Sequence, residues 1–150
     1  MIRWLAAIFA AGLLLSACGS QSMTAAMKAW AFQGSTYSYV ATNRQLITDA
    51  TRAAKALRTK DETNDQLHLV CGVMDYDTDA ANAFLPTPDK AASTLLSSAY
   101  GDLGAGATIC YGASTNSSKR ARALSYLSRG LGQLDEAYAV IESDLSTTPS

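Results

Sequence analysis

"LSYLSRGLGQLDEAYAVIESDL", residues 124–145, decides the class of fold. Its apolar side chains fall at Leu124, Leu127, Leu131, Leu134, Tyr138, Ile141 and Leu145, in steps of 3, 4, 3, 4, 3 and 4. That is a heptad seam, the spacing that keeps one stripe of a helix facing a neighbour. A half-buried strand would alternate instead, and no segment of this chain sustains alternation. Gly130 and Gly132 weaken the helix by about 1 kcal/mol each relative to alanine but leave the stripe intact.

Upstream of this seam the same period recurs. "TPDK" (87–90) predicts a helix start, with Thr87 as N-cap, Pro88 at the first helical position and Asp89 at the positive end of the dipole. The stripe that follows is Ala92, Leu96, Ala99, Leu103, Gly106 and Cys110. A preceding helix starts near Glu62 with Leu67, Val70, Cys71 and Met74 inward. The earliest runs from about Thr24 to Arg58, with Trp30, Tyr37, Val40, Ile47, Ala50, Ala54 and Leu57 on one stripe and a bend at Gly34. "GASTNSS" (112–118) is a turn, and residues 146–150 form a frayed tail. Four amphipathic helices on short connections predict an all-α fold, an up-down-up-down four-helix bundle over residues 23–145.

The first residues are of another kind. One positive charge at Arg3 precedes an uncharged run, "WLAAIFAAGLLL" (4–15), and then the small residues Ser16 and Ala17. These are the parts of a secretory signal peptide. As a helix the run would span about 18 Å, short of the roughly 30 Å of a bilayer core. Leu15-Ser16-Ala17-Cys18 resembles the lipobox of bacterial lipoproteins. The resemblance covers residues 1–18 only. It implies removal of residues 1–17, a diacylglycerol on the Cys18 thiol, and a short lipidated tether at 18–22. The alternative is an ordinary leader cut nearby, which leaves Cys18 unexplained. Two acyl chains would hold the chain on the extracytoplasmic face of a cell membrane, at about 0.8 kcal/mol per buried CH₂, without spanning it.

Removal of Arg3 with the leader leaves 11 of the 12 basic residues against 13 acidic ones, a formal charge of −2. That balance gives no reason to expect nucleic acid as a partner. Once Cys18 is assigned to lipid, Cys71 and Cys110 remain as an even pair in an oxidising compartment and are expected to form a disulfide. A metal site fails for want of ligands, because His68 is the only histidine and no CxxC occurs. The bond constrains the connection between the second and third bundle helices. Helix from Asp89 to Cys110 rises about 31 Å, while Cys71 to Ala81 descends only about 15 Å. "NAFLPTP" (82–88) must therefore run extended, with Phe84 and Leu85 over the open end of the core.

Catalytic chemistry finds no foothold. "DYDTD" (75–79) begins like an EF-hand loop, but Ala80 stands where glycine is needed and Pro86 where the bidentate acid belongs. A solvated helix end explains these aspartates better. The three glycines of "GDLGAGA" (101–107) lie inside a helical stripe and suit close helix packing rather than a phosphate loop. His68 lies beside inward Leu67 and Val70, at the rim. With Met23, Met27 and Met74 scattered, it forms no axial pair for haem. No serine has a recognisable base, so neither an enzyme activity nor a cofactor or metal is expected.

Two features stand above background. "AWAFQGSTYSYVATN" (29–43) carries no charge and four aromatics, Trp30, Phe32, Tyr37 and Tyr39, in two pairs seven apart. A helix buried on two sides accounts for it; an exposed strip for a partner is the alternative. Charge is also unevenly placed. In an up-down-up-down bundle, Lys55, Arg58, Lys60, Lys119, Arg120 and Arg122 gather with Asp61, Glu62 and Asp65 at the end far from the lipid, a sum of +3. The lipid-side end has Lys28 and Lys90 against Asp75, Asp77, Asp79, Asp89, Asp135, Glu136, Glu142 and Asp144, a sum of −6. Solvated charge explains much of this; a basic end at Lys119, Arg120 and Arg122 for an envelope protein or an anionic cell-wall polymer is the alternative. The expectation is a membrane-anchored, non-catalytic interaction module. A carrier of a hydrophobic molecule between helices and a hydrolase with an unfamiliar site are the other classes.

Overall fold

The computed structural model describes residues 22–33, 38–59 and 63–146. Among these every regular element is a helix, and there are five: α1 (Met23–Ala31), α2 (Tyr39–Arg58), α3 (Asn64–Asn82), α4 (Lys90–Tyr111) and α5 (Ser117–Ser146). The all-α class stands, but the count of four does not. The helix expected from Thr24 to Arg58 is two. Ser22 and Ser38 each cap a separate start, their hydroxyls accepting from the N–H groups of Ala25 and Ala41 at 3.3 Å. Serine satisfies the orphan donors of a helix start better than it serves a helix interior, so the chain breaks where Ser38 offers a cap. Gly34, the expected bend, lies outside the described residues.

The other starts follow local chemistry as well. Thr63 and Gln66 form a capping box: the Thr63 hydroxyl accepts from the Gln66 N–H, and the Gln66 amide oxygen accepts from the Thr63 N–H at 2.9 Å. At α4 the cap is Asp89, not Thr87, and Pro88 stays outside the helix. The Asp89 carboxylate accepts from the Ala92 N–H at 2.6 Å, a charge-assisted bond that a threonine hydroxyl cannot match. Thr87 instead donates its hydroxyl to the Asp89 carbonyl.

α4 packs against α3 and α5, and α2 against α3 and α5. Neighbours run antiparallel. The start of α5 meets the end of α2 through Arg120, while Tyr138 near the other end of α5 meets Tyr39 at the start of α2. The expected α4 stripe is buried throughout, and so are Leu67, Cys71 and Met74 of α3, with Val70 half-buried. Of the α5 seam, Leu127, Leu134 and Ile141 are buried while Leu124, Leu131, Tyr138 and Leu145 lie half-buried against the core. Gly106 and Gly130 bring α4 and α5 together. A Cβ on Gly130 would lie 2.7 Å from Leu103 Cγ and 3.0 Å from the Ala99 carbonyl, and one on Gly106 would lie 2.8 Å from Leu127 Cδ2.

Cys71 and Cys110 are disulfide-bonded, with Cα atoms 5.8 Å apart. The connection from Ala83 to Asp89 is non-helical but does not run extended as expected: it opens with a turn in which the Phe84 and Leu85 N–H groups donate to the Ala81 and Asn82 carbonyls at 3.1 Å, and Phe84 and Leu85 pack on the core. On α2 the inward stripe departs from expectation: Asn43 and Asp49 are buried with Leu46, while Val40 and Ile47 are only half-buried. Two polar residues take core positions because each has a partner there. The Asn43 amide accepts from the Tyr100 hydroxyl at 2.9 Å and donates to the Tyr39 carbonyl at 3.2 Å. Among the described residues no helix is long and apolar enough to cross a membrane.

Candidate functional site

The aromatic strip expected at residues 30–39 is divided. Tyr39 is buried and packs against Trp30, Phe84 and Tyr138, with ring centroids at 4.1, 6.3 and 6.2 Å. Burial and the neighbouring tyrosines push its hydroxyl far above the usual range. Trp30 is half-buried, its indole N–H donating to the Phe84 carbonyl at 2.7 Å. Phe32 is exposed. Tyr37 and Cys18 lie outside the described residues. Two of the strip's four aromatics, Trp30 and Tyr39, therefore plug the space between the start of α2, the end of α5 and the connection after α3.

The basic end is also partly committed to the fold. Arg120 sits where two helix ends meet. Its guanidinium donates to the Thr59 carbonyl at 2.9 Å, the Ala56 carbonyl at 3.5 Å and the Ser114 carbonyl at 2.9 Å. A cation at those carbonyls complements the negative end of the α2 dipole. Lys119 donates to the Gly112 carbonyl at 3.2 Å. Arg122 is exposed and lies 5.9 Å from the Tyr126 ring. Three residues that share one turn of α5 thus have three different jobs.

What the structure does bring together lies on α3. Beyond its buried stripe the helix carries a second one, Leu69, Val73 and Tyr76, spaced 4 and 3 and pointing outward. Leu69 is 68% exposed and Tyr76 75%. Tyr111, exposed at the end of α4, stacks on His68 of α3 with centroids 4.4 Å apart and planes 9° from parallel. On the other side a groove of about 270 Å³ separates α3 from α2, lined by Arg52, Lys55, Ala56, Gln66, Leu69 and Val70. Further along this seam sit two carboxyls. Asp49, 1% exposed, takes a hydrogen bond from the Gln45 amide and pairs with Arg52 at 3.1 Å. Across the seam, burial and the Asp49 carboxyl raise Asp77 to about 6. The other two aspartates of "DYDTD" are exposed on α3, inside the helix rather than in a loop.

Sequence reasoning gave Asp49 no role and placed Asp77 at a solvated helix end, and it passed over the outer stripe of α3. A signal for the stripe exists. Leu67–Val70–Cys71–Met74 and Leu69–Val73–Tyr76 together make this helix apolar on opposite sides, more than one buried stripe requires. No signal identifies the Asp49–Asp77 pair, because it depends on the register of two helices. Among the described residues, no three histidine, cysteine, aspartate or glutamate side chains converge as a metal centre would need. The face offers apolar contact area beside two cations, which is the chemistry of recognition. No family model, curated protein or solved structure matches this chain, so the reading of the face rests on its own residues.

Proposed function

We propose that this chain is an extracytoplasmic lipoprotein, anchored through acyl groups on Cys18, whose helical domain is a non-catalytic interaction module. The four long helices act as an up-down-up-down bundle with α1 laid against it, and the outer face of α3 is the contact surface. One observation carries the reading: Leu69, Val73 and Tyr76 leave an apolar stripe uncovered along the outside of α3, with the cations Arg52 and Lys55 beside Leu69. A large uncovered apolar patch rimmed by polar residues marks a contact site more often than it marks idle surface. The lipobox supports the anchor, and a disulfide fits an oxidising compartment.

The test has two arms. Cys18→Ser should release the domain from membranes or leave an unprocessed precursor, whereas processing and retention like the parent would refute the anchor. Material co-purified with the intact chain should include an envelope component that the Leu69→Ser/Tyr76→Ser variant loses. Identical recovery with both proteins would refute the contact surface.

A further inference from the structure

We propose that the α2–α3 face docks an acidic amphipathic helical segment of another protein, and this rests on reading the face as an interaction surface. The partner's chemistry follows from how the face is edged. Along the α2 side Arg52 and Lys55 stand beside Leu69, and buried Asp49 and half-buried Asp77 lie further along the seam. Arg52 is 60% exposed even while paired to Asp49, and no described residue pairs with Lys55. Along the α4 side the helix carries His68, Asp75 and Asp79, spaced 7 and 4 and so on one flank. Between the two edges lies the apolar stripe Leu69, Val73 and Tyr76.

An occupant must therefore bring apolar side chains at its centre, acid to the α2 edge and no acid to the α4 edge. A lipid surface or an anionic polymer presents negative charge everywhere and would press it against Asp75 and Asp79. A helix places different residues on its two flanks and avoids that conflict. The groove beside Leu69 and Val70, at about 270 Å³, is on the scale of one bulky anchoring side chain of the partner. Leu69 and Tyr76 then supply the contact area, and Arg52 and Lys55 select the partner by charge.

The full chain, purified in detergent, is titrated with three probes. The first is a helical peptide with leucine on one face, glutamate along one flank and glutamine along the other. The second is the same peptide with lysine for glutamate, and the third is polyglutamate. The glutamate peptide should bind at least tenfold more tightly than the lysine peptide, and binding should weaken as salt rises. Both Arg52→Glu/Lys55→Glu and Leu69→Ser/Tyr76→Ser should lose at least tenfold in affinity while keeping the helix content and the disulfide. Equal binding of the lysine peptide, equal binding of polyglutamate, or full affinity in either folded double variant would overturn the proposal. Cys18→Ser should leave peptide affinity unchanged, so failure of the anchor and failure of the docking face are told apart.

Discussion

Two effects raise Asp77 to about 6, burial and the Asp49 carboxyl across the α2–α3 seam, and both favour the neutral form. Burial, with Asp79 and Asp89 respectively, raises Asp75 and Asp144 in the same direction. Between the ordinary value near 4 and the folded value of about 6, the folded chain binds more protons than the unfolded one. Stability therefore falls as pH rises through that window, and the domain should be more stable at pH 5 than at pH 7.5. Asp77→Asn removes the titration and lets an amide donate to Asp49. It should add about 1 kcal/mol at pH 7.5 and flatten the profile, both readable by urea unfolding across pH. Two glycines of α5 give a second test. Gly130→Ala puts a methyl against Leu103 and the Ala99 carbonyl and should cost about 1–3 kcal/mol. Gly132→Ala meets nothing within 4 Å and should add about 0.5–1 kcal/mol. From sequence the two glycines carried the same penalty. Only the position of Leu103 on the facing helix distinguishes them.

At the level of the element, caps decide more than stripes do. The seams of α4 and α5 were legible because every third or fourth residue is apolar and the facing positions agree. α2 was misread in two ways. Ser38 competes for a helix start inside an apparently continuous pattern, and Asn43 and Asp49 occupy core positions that a hydrophobic template skips. Arg120 likewise looked like one of three surface cations, yet it closes the C-terminus of α2. Arg120→Ala should cost about 1–2 kcal/mol through the lost carbonyl bonds and dipole contact, whereas Arg122→Ala should change stability by less than about 0.5 kcal/mol. Thermal unfolding of the two variants side by side measures the difference. Equal losses would mean that the bonds to α2 contribute nothing.

For the whole molecule, the disulfide was legible from cysteine parity, but the connection beside it was only half so: it is non-helical as the helix lengths required, yet turned rather than extended. The candidate face was not legible. Its outer stripe is visible in the sequence, but its neighbours Arg52, Lys55 and Tyr111 are set by how α2 and α4 lie beside α3. Replacing both cysteines by serine opens a loop of 39 residues and should cost roughly 3–4 kcal/mol, seen as a lower midpoint in urea.

That same bond also alters how the chain bears load. If tension runs from an anchored N-terminus to a partner gripping the domain, α1 and α2 lie in the path of the force. Everything between Cys71 and Cys110 is short-circuited, because the bond transmits the pull directly from α3 to α4. At about 3.3 Å per residue, roughly 130 Å of chain cannot be drawn out unless the bond is reduced. Most of α3, including Val73 and Tyr76, lies within that shielded span. A tug on the tether would lengthen the leash and reach Arg52, Lys55 and Leu69 first, while Val73 and Tyr76 stay behind the bond.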